Sequence, residues 1–148
     1  MIERYTRPQM GRLWALESKY SKWLEIEIAV CEAWAEMGEI PRKALKTIKD
    51  KARFDINRID EIERKVKHDV ISFLTSVSEN VGPESRYIHK GLTSSDIVDT
   101  ALSLLMRSAA GIVIGDLKEL MSVIKTQAFK HRRTPCMGRS HGPPVVKE

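Results

Sequence analysis

Apolar residues recur along almost the whole chain at steps of three and four, the period of helices packed on one side. Trp23, Ile26, Val30, Ala33, Trp34 and Met37 fall on one face of a first long helix. Gly38 supplies a natural residue just past its end, and Pro41 prevents continuation. A short basic helix is predicted over about residues 43–52. Asp55 is placed to cap the next helix, whose stripe is Ile56, Ile59, Ile62 and Val66. Lys67-His68-Asp69 then falls at a junction, because Val70, Phe73, Leu74 and Val77 begin a new stripe. Gly82-Pro83 breaks the chain, and residues 85–90 are expected as a turn or single helical turn.

From Asp96 the apolar positions Ile97, Ala101, Leu104, Leu105, Ile112, Val113, Leu120 and Ile124 continue to about Phe129. A helix of that length measures roughly 50 Å at 1.5 Å per residue. Helices this long normally belong to bundles whose other members cover their stripe. This chain offers few partners long enough. His131, Arg132 and Arg133 follow, cations suited to a helix C-terminus. Alternating runs of Val, Ile and Tyr are absent, so no substantial sheet is expected and the fold class is all-α.

Composition narrows this picture only a little. The chain has 148 residues, one ordinary domain, and 42% of them are hydrophobic, enough for a core. No unbroken apolar run approaches the ~20 residues that span a bilayer, and the first residues carry no apolar signal region. A cytoplasmic protein with no membrane partner is expected. Cys31 and Cys136 form neither a disulfide framework nor a metal spacing. Cys31 reads as a small core hydrophobe, and nothing marks Cys136 as a nucleophile. The formal net charge of +5 is mild and compatible with an anionic ligand. Zinc spacing, RNA-recognition aromatics and dense basic blocks are all missing, which argues against nucleic acid.

Four polar groups are candidates for chemistry. Gly91-Leu92-Thr93-Ser94-Ser95-Asp96 opens the long helix. Helix starts carry unpaired N–H groups and a partial positive charge, so neighbouring hydroxyls make a cradle for a carboxylate or phosphate. One cap needs one such residue, and here three stand in a row. Arg4-Tyr5 offers a guanidinium and a phenol for an anion, or else is a terminal tail, the reading that sequence alone favours. Lys67-His68-Asp69 contains an imidazole suited to proton transfer, though a lone His-Asp pair reads as structural or surface. Gly138-Arg139-Ser140-His141-Gly142 surrounds a cation, a hydroxyl and an imidazole with small residues, and ligand loop and plain loop stand level there.

In their order and spacing these segments resemble the adenylosuccinate lyase family of the fumarase/aspartase superfamily. The matching pieces are Arg4-Tyr5, His68-Asp69-Val70, residues 91–96 with Val98-Asp99-Thr100, and residues 138–142. The resemblance implies an N-terminal helical domain over residues 1–92. The first long helix of the superfamily's central bundle would follow over residues 93–148. It implies a β-elimination in purine nucleotide biosynthesis, releasing fumarate from adenylosuccinate and from the succinylated aminoimidazole carboxamide ribotide. No metal or organic cofactor is implied, and the full-length family is homotetrameric, with each active site built from several subunits. By the same resemblance Arg4 and Tyr5 hold the nucleotide phosphate region. Lys67, His68 and Asp69 line the substrate site, with His68 close to the phosphate or the reacting atoms. Thr93 and Ser94 bind a succinyl carboxylate, and His141 is the general acid that protonates the departing nitrogen.

The chain departs from the family in two ways. The family's general base is a serine on a mobile loop further along than this sequence reaches. After Gly142 the sequence runs Pro143-Pro144-Val145-Val146-Lys147-Glu148 where the family has a longer segment of different character. An incomplete N-terminal portion, inactive by itself, is therefore expected. Sister enzymes such as argininosuccinate lyase or a carboxymuconate cycloisomerase are the enzymatic alternative. A helical module that oligomerises through Leu104, Leu105, Ile112 and Leu120 is the non-enzymatic one.

Overall fold

The computed structural model describes residues 2–138 and 145–147. Its helices are α1 (Pro8–Leu13), α2 (Leu16–Glu36), α3 (Arg42–Lys51), α4 (Ile56–Val66), α5 (Asp69–Val81) and α6 (Ser94–Lys130). Short 3-10 turns occupy Glu3–Tyr5 and Gly82–Tyr87. Apart from connecting turns, the described residues are helical except for one antiparallel pair, β1 (Cys136–Gly138) with β2 (Val145–Lys147), in which Met137 pairs with Val146. Two compact units divide it, Met1–Ala109 and Ala110–Glu148, and α6 begins in the first and runs on into the second.

The helix boundaries of the first unit follow from local chemistry. Met37 ends α2 and Gly38 follows with φ +81°, a conformation that costs a residue without Cβ little. The Asp55 carboxylate accepts the N–H groups of Asn57 (2.8 Å) and Arg58 (3.2 Å), satisfying two donors that α4 itself leaves open. Lys67 ends α4 in the left-handed conformation, φ 57°, and His68 starts α5 with extended backbone, φ −147°. Residues 67–69 are therefore a helix junction, as the change of stripe predicts.

The core is centred on aromatic rings from α2 and α5. Tyr20 stacks on Phe73 at 5.7 Å and 6°, and Trp23 meets Phe73 edge-on at 5.5 Å and 87°. Ile48 of α3, Ile59 of α4, and Val70 and Val77 of α5 close around them. The first turns of α6 add Ile97 and Ala101 to this core, with Leu105 buried beyond them.

Two predicted stripes differ from what is buried. In α2 the buried face runs through Tyr20, Trp23, Glu27 and Cys31. Ile26, Val30, Ala33 and Met37 instead line an open apolar groove with Trp34 and Leu104. A count of apolar residues skips Glu27 and so reads the neighbouring face. In α6 only Ile97, Ala101 and Leu105 of the expected stripe are buried; Val113, Leu120 and Ile124 are exposed. By length and composition α6 also qualifies as a helix able to cross a membrane, although polar residues interrupt its apolar sequence. A long helix of a helical bundle passes the same test.

Candidate functional site

The start of α6 is delivered by a tight turn over residues 89–92. The Leu92 N–H donates to the His89 carbonyl at 3.4 Å, and both His89 (φ 67°) and Gly91 (φ 75°) take left-handed backbone. Gly91 is required twice over, since a Cβ there would lie 3.1 Å from the Trp34 ring. Beyond the turn, the Thr93 N–H donates to Asp96 Oδ2 at 2.8 Å and the Asp96 N–H donates to the Thr93 carbonyl at 3.0 Å. This is the reciprocal half of a capping box: a carboxylate at the third helical position reaches back to the cap. Asp96 thus serves the helix start. Among the described residues, no hydrogen bond within the chain uses the hydroxyls of Thr93, Ser94 or Ser95. They stand beside the positive end of a 37-residue helix, where an anion is favoured.

His68 is built into the junction between α4 and α5. Its Nδ1 accepts the Ile71 N–H at 3.4 Å and its carbonyl accepts the Ser72 hydroxyl at 2.7 Å. With Nδ1 used as an acceptor, the neutral ring carries its proton on Nε2. The exposed side of the imidazole is then a proton donor. Asp69 Oδ1 lies 3.7 Å from His68 Nδ1 and accepts the Val70 N–H at 2.8 Å. Its other oxygen lies 4.0 Å from Lys19 Nζ, and that ammonium sits 4.5 Å above the Trp23 ring. Lys67 is exposed and shares a shallow surface depression with Asp60, Glu63 and Arg64.

Arg4 and Tyr5 close the first 3-10 turn, with the guanidinium 4.7 Å from the Tyr5 ring centre and the phenol exposed. His141 lies outside the described residues, as do Arg139, Ser140 and Gly142. The described candidate side chains therefore stand on three separate elements, the first 3-10 turn, the α4–α5 junction and the start of α6. Among the described residues no hydrogen bond or ion pair joins Arg4-Tyr5, residues 67–69 and residues 93–94. No cluster of three His, Cys, Asp or Glu able to hold a metal occurs among the described residues either.

Sequence reasoning missed the one charged side chain that is buried among the described residues. Glu27, only 1% exposed, sits mid-helix between Trp23 and Cys31. Its Oε2 accepts the His89 N–H at 2.8 Å, and its Oε1 lies 2.7 Å from His89 Nδ1. Burial pushes the Glu27 carboxyl above the ordinary glutamate value, and the bonds and charge of His89 partly offset this. Farther along α2, the Trp34 indole N–H donates to the Lys90 carbonyl at 2.9 Å. The Lys90 ammonium reaches Glu39 at 2.7 Å and lies 4.9 Å over the Trp34 ring. The signal was present in the sequence: Trp23, Glu27 and Cys31 recur at steps of four, with a carboxylate at the middle position.

The model of a family described as "Lyase" matches residues 3–145. The chain is 53% identical over 145 residues to an adenylosuccinate lyase of Aquifex aeolicus and 50% identical over 142 residues to one of Bacillus subtilis. Each match covers 96% of this chain and 33% of the relative, so the chain spans about a third of the curated relatives' length, their N-terminal portion. A solved 3-carboxy-cis,cis-muconate lactonizing enzyme from Pseudomonas putida superposes with a TM-score of 0.83 at 28% identity, over 96% of this chain and 35% of that one. With its helical frame, its furnished helix start and a family match over nearly its whole length, the chain belongs to this lyase family.

Proposed function

We propose that this chain is the N-terminal portion of an adenylosuccinate lyase, which splits adenylosuccinate, and the related succinylated carboxamide ribotide, into fumarate and the corresponding purine nucleotide or precursor. The observation that carries the reading is the identity of about half over 96% of the chain with adenylosuccinate lyases of two bacteria. The likeness to the muconate lactonizing enzyme stands at 28%, which favours the purine reaction over that sister chemistry.

The residues fit an elimination. Removal of a carbon-bound proton beside a carboxylate leaves extra negative charge on that carboxylate before the C–N bond breaks. The free hydroxyls of Thr93 and Ser94 at the α6 N-terminus supply fixed donors for that charge. A nitrogen anion is a poor leaving group and needs a general acid, the role assigned to His141. His68, with its Nε2 proton on the exposed side, donates to the phosphate or near the reacting atoms, with Lys67 and Asp69 beside it. Arg4 and Tyr5 bind the nucleotide phosphate.

Those of these groups that are described lie on separate elements, which suits a site completed by other subunits of a homotetramer. In this reading residues 1–92 form the N-terminal domain and residues 93–148 begin the central bundle. The exposed apolar side of α6 then faces neighbouring bundle helices rather than lipid, and the protein is cytoplasmic. No metal or organic cofactor takes part.

A chimera tests the proposal: residues 1–148 replace the corresponding third of the Bacillus subtilis adenylosuccinate lyase, and fumarate release is followed. Activity on adenylosuccinate and none on argininosuccinate is expected. His68→Ala or His141→Ala should each lower kcat by about 100-fold or more. A folded tetrameric chimera without lyase activity overturns the reading. The unfused 148-residue chain should release no fumarate.

A further inference from the structure

A carboxylate removed from water in mid-helix costs several kcal/mol unless it is paired and fully hydrogen-bonded. Glu27 is paired in just this way, and all its described hydrogen bonds go to one residue. Oε2 takes the backbone N–H of His89 and Oε1 takes the Nδ1 side of its ring. For stability alone the arrangement is unnecessary, because apolar side chains of similar volume commonly replace buried ion pairs at no loss. What the pair accomplishes is geometric. His89 holds a left-handed backbone, a conformation that costs a residue with a side chain about 1–2 kcal/mol and that persists only where its surroundings enforce it. The two oxygens of Glu27 grip both ends of that residue, backbone and ring. Three residues later the turn becomes Leu92, and next comes the Thr93 cap of α6.

We propose that Glu27 is a positioning residue of the lyase site: it fixes the His89 ring and, through the 89–92 turn, sets where Thr93 and Ser94 present their hydroxyls. Trp34 is the second point of the same rail, holding the Lys90 carbonyl at 2.9 Å while its ring walls in Gly91. Two side chains of α2, seven residues and about two helical turns apart, thus clamp consecutive residues of the turn. With the Nδ1 side of the His89 ring turned to Glu27, Nε2 is the ring's remaining polar atom, so the clamp also fixes which ring nitrogen is left to bond elsewhere. Displacing such groups by about 1 Å is enough to cost roughly 100-fold in rate.

The inference rests on the proposed lyase reading for its catalytic arm only, and the test has two arms. In the 148-residue chain, nitrogen-15 NMR of the imidazoles is expected to show a slowly exchanging His89 Nδ1 proton that Glu27→Gln abolishes. The backbone amide spectrum should otherwise stay dispersed. In the chimera with the Bacillus subtilis body, Glu27→Gln should lower kcat/KM on adenylosuccinate about 100-fold. Glu27→Asp, which restores the charge one methylene short, should return part of the loss. Arg58→Ala, which removes a remote surface clamp onto Glu79 and Glu61, should leave kcat/KM within about twofold and controls for stability. An unchanged His89 ring signal in Glu27→Gln overturns the clamp. Wild-type kcat/KM in an active Glu27→Gln chimera overturns the positioning role. A chimera silent with Glu27 in place counts against the lyase reading, and the NMR arm still decides whether Glu27 holds His89.

Discussion

Replacing Gly91 by alanine isolates the close approach that shapes the start of α6. Gly91 has φ 75°, and a left-handed alanine costs about 1–2 kcal/mol. The added Cβ would also meet Trp34 Cζ2 at 3.1 Å, so the indole must move by a few tenths of an ångström. That ring is tied to the Lys90 carbonyl by a 2.9 Å hydrogen bond, and such bonds contribute about 0.5–1.5 kcal/mol. Together these give about 2–3 kcal/mol for Gly91→Ala. Gly38 provides the control, since it has φ 81° and nothing within 4 Å of its would-be Cβ. Gly38→Ala should therefore cost only the backbone share, about 1–2 kcal/mol. Urea unfolding followed by far-ultraviolet circular dichroism measures both. A third variant closes the argument: Trp34→Phe removes Cζ2, so Gly91→Ala combined with it should fall about 1 kcal/mol short of additivity. Equal losses at Gly91 and Gly38, together with strict additivity in the double variant, would refute the steric account.

Phe73→Ala should cost about 3–5 kcal/mol, because the ring is fully buried against Tyr20, Trp23 and Phe54; thermal melting of the variant checks this. Burial raises the Cys31 thiol to about 11, so at neutral pH one thiol per folded chain, Cys136, should react with a thiol reagent, and two in denaturant. The raised Glu27 carboxyl means the folded chain keeps that proton at pH values where the unfolded chain has released it. Its contribution to stability should fall as pH climbs from the ordinary value of 4.5 through the raised one. Subtracting the Glu27→Gln profile from the wild type exposes that slope, and a difference that grows with pH instead would contradict the burial argument.

Much of the frame was legible because its signals are local. Asp55, Gly38 and the 67–69 junction each act within one turn of their own position, so residue type alone locates them. The extent of α6 was legible for the same reason, its apolar period and absence of breakers reaching from the Thr93 region to Lys130. The buried face of α2 was not, because a charged residue occupies its centre and its partner lies 62 positions away. Nor could the sequence reveal that His89 adopts a left-handed backbone, a property of the grip on it rather than of histidine. At the start of α6 the surplus of hydroxyls was readable, whereas the assignment of Asp96 to the cap required geometry. Arg4, His68 and Thr93 stood out as candidates through the order and spacing of their segments, not through residue type alone. Their separation onto different elements is a fact of tertiary structure alone.

The indole of Trp34 has one further consequence. Its N–H is bound to the Lys90 carbonyl, an ammonium hovers over its face, and Gly91 lies against its edge. Tryptophan emission responds to neighbouring charge, hydrogen bonding and water, so this ring is an optical gauge built into the turn that feeds α6. Trp23, sealed among aromatic rings on the same helix, supplies a nearly constant background. With Trp14 replaced, a change in the intrinsic fluorescence of the unlabelled chain would report a change in the surroundings of Trp34 at that turn.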